Sequence, residues 1–221
     1  MPYSQHREES VIASVTSDIV CGKFLDIGAA DGRNFSNTLA LVERGWSGVL
    51  VEPEPSSFRA LLLRHGDNPK LSLVNAAVAC NRGFAKFWRS SLSWSIAHEE
   101  SDKAGNEWTQ ISTTVPEHVD KWRATGRFHC PYWILQVGLQ ELLDQFPPPY
   151  DVVSIDTEGT SSALFFQLMQ LLPLMRVALP RIAVVEHDGH EQGCIVVAGA
   201  KYEIRERNSE NLVFVLRRDR L

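Results

Sequence analysis

The sequence predicts an α/β fold, a mainly parallel sheet with helices on both faces and an antiparallel pair of strands at the C-terminal end. Three observations carry that prediction. Short apolar runs recur along the chain, each bounded by Gly, Pro, Asn or Asp. Segments with apolar residues at helical spacing separate them. The runs are continuously apolar rather than alternating, as strands buried on both faces require.

The elements follow in order. Val11, Ile12, Val15 and Ile19 mark an N-terminal helix, and Lys23 to Ile27 a first buried strand that ends in the loop Gly28-Ala29-Ala30-Asp31-Gly32. Phe35, Leu39 and Val42 lie on one face of the next helix, which Gly45 closes. Val49 to Glu52 is a second strand, stopped by Pro53. Ser56 or Ser57 caps a helix carrying Phe58, Leu61 and Leu62, closed by Gly66. Leu71 to Asn75 is a third strand. Leu139, Leu142, Leu143 and Phe146 form a helical stripe that Pro147 terminates. Asp151 to Asp156 and Arg181 to Glu186 are further core strands, separated by a helix with Leu164, Phe165, Leu168 and Leu171 inward and its end at Pro173. Tyr202 to Ile204 and Leu212 to Leu216 form the antiparallel pair.

Composition sets the outer limits. With 221 residues, 44% apolar and 22% charged, the chain has the make-up of a folded protein able to bury a core without metal or disulfide staples. The expectation is one domain over residues 1–221, interrupted at about 84–133 by an excursion that holds Trp88, Trp94, Trp108, Trp122 and Trp133. Such an excursion is either a lid over the ligand edge of the sheet or a packed subdomain whose tryptophans fill space. Its cations, Arg89, Lys103, Lys121, Arg123 and Arg127, either meet an anionic substrate or form a solvated face. The net charge of −5 supplies no general attraction for nucleic acid or an anionic membrane. No apolar run reaches the length of a membrane span. The polar start from Pro2 to Glu9 has no signal-peptide core, and Cys21, Cys80, Cys130 and Cys194 are scattered without metal-ligand spacing. A cytoplasmic protein with reduced thiols is expected, with no membrane and no nucleic-acid partner; its oligomeric state is left open.

Asp26-Ile27-Gly28-Ala29-Ala30-Asp31-Gly32 is the most informative segment. Its D-x-G-x-x-x-G spacing lets a strand turn sharply while its backbone approaches a ligand, but lacks the spacing that cradles a pyrophosphate. Glu52, at the end of the second strand, is placed to accept hydrogen bonds from two ribose hydroxyls. Asp26 either orients the loop or receives an ammonium group. The alternative is an ordinary strand-to-helix turn with Glu52 as a solvated strand end.

These residues resemble the S-adenosylmethionine loop of class I methyltransferases. The blocks Phe24 to Gly32, Val51-Glu52-Pro53, Val74 to Val78, Ile155-Asp156-Thr157-Glu158-Gly159 and Val184-Val185-Glu186-His187 are similar, in that order, to the FkbM-like methyltransferase family. The resemblance implies a Rossmann-like fold and methyl transfer from S-adenosylmethionine, usually to oxygen. It implies Asp26, Gly28, Ala29 and Gly32 at the methionine end, Glu52 and Pro53 at the ribose, and Asn75 and Ala76 near the adenine. The family often continues its Glu-Gly pair with a second glutamate; Ser161 stands there in this chain, where it is placed to cap the next helix.

At the reacting edge, Asp156 and Glu158 are two residues apart and point the same way on an extended backbone. Asp156 also borders the cofactor. Asp156 or His187 is the expected general base, with Glu158 in support. Asp156, Glu158, Asp188 and His187 also form a candidate ligand set for a divalent metal. The alternative is that the acids organise the turn and that His187 and His190 are partly buried polar residues. The function expected is O-methylation of a small polar acceptor such as a sugar or secondary metabolite. Two other readings stand beside it: a non-catalytic S-adenosylmethionine-binding or assembly module, and, less favoured by the charge, a nucleic-acid methyltransferase.

Overall fold

The computed structural model describes residues 3–91, 111–123 and 128–217. Seven strands form the main sheet: β1 (Lys23–Ile27), β2 (Ser47–Val51), β3 (Leu71–Val74), β7 (Val152–Ile155), β8 (Ile182–Glu186), β9 (Tyr202–Arg207) and β10 (Asn211–Leu216). Their order is β3-β2-β1-β7-β8-β10-β9. The first five are mutually parallel, and β10 runs antiparallel to both of its neighbours.

Successive residues of each strand face opposite sides, and the two cores follow from that. Leu25, Ile27, Val49, Val51, Val153 and Ile155 face α5 (Leu139–Gln145), α6 (Ser161–Leu174) and α7 (Glu191–Ala198). Phe24, Leu50, Val152, Ile182 and Val184 face α1 (Glu8–Val15), α2 (Leu39–Glu43) and α3 (Pro55–His65), joined by the fully buried Trp46. Both faces of the sheet are covered, which is why its strands read as unbroken apolar runs.

Several helix boundaries differ from the sequence reading. Phe35 belongs to no helix. Its φ is +58°, and α2 begins only at Leu39. The reason lies upstream, where Asp31 Oδ1 accepts from the amides of Arg33 and Asn34 and so holds the chain in a turn. Ser36 Oγ then accepts from Thr38 and Leu39, as a helix cap would. The cap of α3 is Glu54 rather than Ser56 or Ser57. Its carboxylate accepts from Ser57 N at 2.8 Å, and Pro55 takes the first helical position. Ser161 does not cap α6 with its side chain: Thr160 is the flanking residue, and the Ser161 hydroxyl turns to Glu186.

The excursion is more regular than its sequence suggests. β5 (Gly83–Ser91) and β6 (Phe128–Gly138) form a long antiparallel ladder, with β4 (Ala77–Ala79) parallel to β6 on its other side. Between the described parts of this ladder lies α4 (Pro116–Arg123). Trp88 and Trp133 lie on the ladder, and Trp133 is largely exposed. Trp94 and Trp108 fall outside the described residues, as do Lys103 and Arg127. Arg89 is not left for a substrate, since its Nε lies 2.8 Å from Glu54 in an ion pair. Among the described residues no helix is long and apolar enough to cross a membrane.

Candidate functional site

A cleft of about 420 Å³ opens over the C-terminal ends of β1, β2 and β7. This is where the strand order reverses, since β2 lies to one side of β1 and β7 to the other. Parallel α/β sheets bind ligands at such a point because the connections on either side diverge and leave a crevice.

The glycine loop forms the floor. Gly28 and Ala29 both donate to the Val51 carbonyl, at 2.9 and 3.0 Å, and bend the chain sharply over β2. Gly28 has φ +92°, and a Cβ built there would lie 1.6 Å from the Asp156 carbonyl oxygen. The loop is therefore pressed against the end of β7, and only glycine fits. Gly32 (φ +69°) serves differently: its missing Cβ makes room for Leu61 of α3, and it does not line the cleft.

Glu52 lines the cleft and is 7% exposed. Its Oε2 accepts from Ala30 N at 2.9 Å and its Oε1 from Glu54 N at 2.7 Å. Each oxygen keeps a second lone pair for a ligand. Burial, then the nearby charge of Glu54, pushes its carboxyl up to about 8, although the two amides pull it down. Asp26 is held by the Thr38 hydroxyl at 2.6 Å, and burial still lifts it to about 6.

The opposite wall is rich in acids. Glu186 is buried and Asp156 half-buried beside it; both line the cleft, and both are raised, by desolvation first and then by the charges of neighbouring carboxylates. Each therefore holds its proton more tightly than an ordinary carboxyl. Glu158 joins them, but not along an extended strand: it has φ +49° and is followed by Gly159 at +110°. That left-handed turn is fastened from three directions. Glu158 N donates to Glu186 Oε2, Gly159 N to Asp188 Oδ2, and Thr113 Oγ1 to the Glu158 carbonyl. From α4, His118 reaches Glu158 Oε2 with Nδ1 at 3.5 Å and Asp188 Oδ1 with Nε2 at 3.2 Å.

Of the residues singled out from sequence, Asp26, Gly28, Ala29, Glu52, Pro53, Asp156 and Glu158 line one cleft. Gly32, Asn75, Ala76, His187 and Asp188 do not. Asn75 turns its amide back to the Glu52 and Pro53 carbonyls, so Ala77 and Val78 take its place on the wall. His187 faces the Asn208 carbonyl at 3.3 Å and accepts from Gly189 N, which directs its ring to the β9–β10 turn. The cleft also holds residues the sequence reading passed over: Phe35, Asn37, Phe87, Ile111, Ser112, Thr114 and Glu210. The side chain of Glu186 was also passed over as a site residue, though it ends an apolar strand just as Glu52 follows one.

A reversed strand order, a glycine bend and a buried acid beyond β2 define an α/β protein with a ligand-sized cleft at the switch point of its sheet. The family is a narrower matter, and the sequence settles it: the "Methyltransferase FkbM domain" profile matches residues 26–193, and the chain belongs to that family. S-adenosylmethionine is the cofactor this membership implies, and the residues fit it. The cleft has the volume of a small-molecule site, Glu52 offers carboxylate lone pairs, and Gly28 lets backbone come close. Among solved structures, a presumed methyltransferase, yhhF, from Escherichia coli shares the fold, with TM-score 0.50, 12% identity, and coverage of 96% of this chain and 87% of that one. A presumed tRNA methyltransferase from Streptococcus pneumoniae aligns with TM-score 0.42, 14% identity, and coverage of 93% and 69%. A presumed S-adenosyl-L-methionine-dependent methyltransferase from Methanococcus maripaludis aligns with TM-score 0.34, 12% identity, and coverage of 95% and 83%. No curated protein sequence matches the chain.

Proposed function

We propose that the protein methylates a hydroxyl group of a small polar acceptor, such as a sugar or secondary metabolite. When bound, S-adenosylmethionine supplies a methyl group already made electrophilic by its sulfonium. The chain must hold the cofactor, orient the acceptor, exclude water and take a proton. Glu52 receives the ribose hydroxyls, with Pro53 beside it. Asp26 faces the methionine end, with Gly28 and Ala29 giving it close backbone. Ala77 and Val78 flank the adenine.

The observation that carries the reading is the Asp156–Glu186 pair in the same cleft as Glu52. Burial and the neighbouring carboxylates raise the basicity of both acids above that of an ordinary carboxylate. A more basic carboxylate suits the weakly acidic proton of a hydroxyl. His187, bonded toward the β9–β10 turn, gives up the base role to Asp156. The same acids favour a small neutral or cationic acceptor over nucleic acid, because Asp156, Glu158, Glu186 and Glu210 at the cleft repel phosphates.

The test is Asp156→Asn, assayed by release of S-adenosylhomocysteine over a panel of sugar and secondary-metabolite hydroxyls, with tRNA included. Turnover is expected to fall by roughly 10²–10⁴-fold while calorimetric binding of S-adenosylhomocysteine stays within about threefold. Unchanged turnover removes Asp156 as the base. Turnover with tRNA alone replaces the acceptor class.

A further inference from the structure

Among the described residues two groups of potential metal ligands overlap at Glu158. One is Asp156, Glu158 and Glu186; the other is His118, Glu158 and Asp188. Their donor atoms lie within 4.8 Å of one another in each group. The first is accounted for by its own hydrogen bonds. Glu186 Oε2 accepts from Glu158 N and Ser161 Oγ, and Asp156 bonds Glu186. The second is not. Asp188 has a side chain only 3% exposed, and its Oδ1 makes no hydrogen bond, only an ion-pair contact of 3.2 Å with His118 Nε2. His118 Nδ1 is likewise buried and makes no hydrogen bond, only a 3.5 Å approach to Glu158 Oε2. A buried carboxylate oxygen left without a donor is costly unless something positive meets it.

We propose that His118, Glu158 and Asp188 bind a divalent cation of the Mn²⁺ or Zn²⁺ class. One imidazole nitrogen with two carboxylates is a donor set for first-row divalent ions, and the set departs from the sequence-derived one by having His118 in place of His187. The spacing agrees. Adjacent ligands on an octahedral ion with bonds of about 2.1 Å stand about 3 Å apart; His118 Nε2 lies 3.2 Å from Asp188 Oδ1, and Glu158, which faces Nδ1 at 3.5 Å, keeps its donor within 4.8 Å of the other two. Charge agrees as well, since Glu158 and Asp188 both face the one imidazole and Asp156 and Glu186 are grouped about Glu158.

Neither His118 nor Asp188 lines the cleft, whereas Glu158 does. The cation therefore sits behind the wall and acts through it. It ties α4 of the excursion to the turn that presents Glu158, and so holds the adjoining Ile111–Thr114 stretch over the cleft. That role in the cleft rests on the methyl-transfer reading; the binding of the ion does not.

The experiment is titration of the full chain, first stripped with chelator, with Mn²⁺, followed by calorimetry and electron paramagnetic resonance. One Mn²⁺ per chain is expected, with nitrogen coupling in its spin-echo spectrum. His118→Gln and Asp188→Asn should each weaken binding by at least about 10-fold, and His118→Gln should remove the nitrogen coupling. No bound Mn²⁺ at millimolar concentration, no nitrogen coupling in the wild type, or variants that bind as the wild type does each overturn the proposal. The wild-type coupling decides the matter even where a variant fails to fold. S-adenosylhomocysteine binding, measured in the same samples, separates the two readings. Cofactor bound without Mn²⁺ overturns the cation alone; Mn²⁺ bound without cofactor overturns the methyl-transfer reading and leaves the cation.

Discussion

On the β1–β2 side of the cleft, Glu52 is fixed by amides 22 and two residues away in the chain. On the β7–β8 side, the turn at Glu158 is fixed by groups 28 and 45 residues away, one of them in the excursion. The first side is built by local spacing, with backbone donors aimed at one acid. The second is assembled from three separate segments, and its acids are held by one another and by His118. A locally built site is rigid as soon as its strand and turn form. A site assembled over distance depends on every segment that reaches it, which makes it the part open to adjustment.

The largest effect should come where the two sides touch. Gly28→Ala forces a Cβ onto the Asp156 carbonyl in a left-handed backbone. It should destabilise the fold by about 3–5 kcal/mol, read from chemical denaturation, by adding backbone strain to overpacking. Gly193→Ala, within α7 where an added Cβ meets nothing within 4 Å, is the control and should be neutral or slightly stabilising. Equal effects at the two positions would mean that the loop and β7 are not in contact.

Next, Glu52→Ala should weaken S-adenosylhomocysteine binding by about 100-fold in calorimetry, the worth of two hydrogen bonds to a charged acceptor. Glu52→Gln should lose less. Unchanged affinity would dissociate the glycine bend from the ribose role and leave the β1–β2 side without a ligand.

The smallest effect is one of pH. Glu52 and Asp26 are raised to about 8 and about 6, so the folded chain holds their protons where the unfolded chain has released them. Their contribution to stability is fully present below the unfolded carboxylate range, and it declines as pH rises from about 5 to about 8. Denaturant midpoints for the ligand-free protein should fall between pH 5.5 and 8.5, and S-adenosylhomocysteine should recover more stability at the upper end. A flat profile would show that the buried acids of the β1–β2 side are better solvated than their surroundings suggest.

What the sequence made legible follows the same division. The five parallel strands and the closing antiparallel pair were readable because continuous apolar runs announce burial on both faces. Gly28 and Glu52 were readable because their spacing is local. Phe35 was misplaced because helical periodicity says nothing of the Asp31 and Ser36 hydrogen bonds that postpone α2. Asn75 and Ala76 were expected on the cleft wall, where Ala77 and Val78 stand, since the sequence cannot tell that Asn75 folds back onto Glu52. His118 lies in a segment of mixed charge without clear periodicity. Nothing along the chain ties it to Asp188, and the nearer His187 seemed the natural partner.

The wall supplied by Ile111, Ser112 and Thr114 belongs to a segment inserted between two strands of the side ladder, outside the main sheet. Substitutions there can reshape one end of the cleft while leaving every core strand intact. The shape of that end of the cleft is thus set by one insertion, apart from the scaffold beneath it.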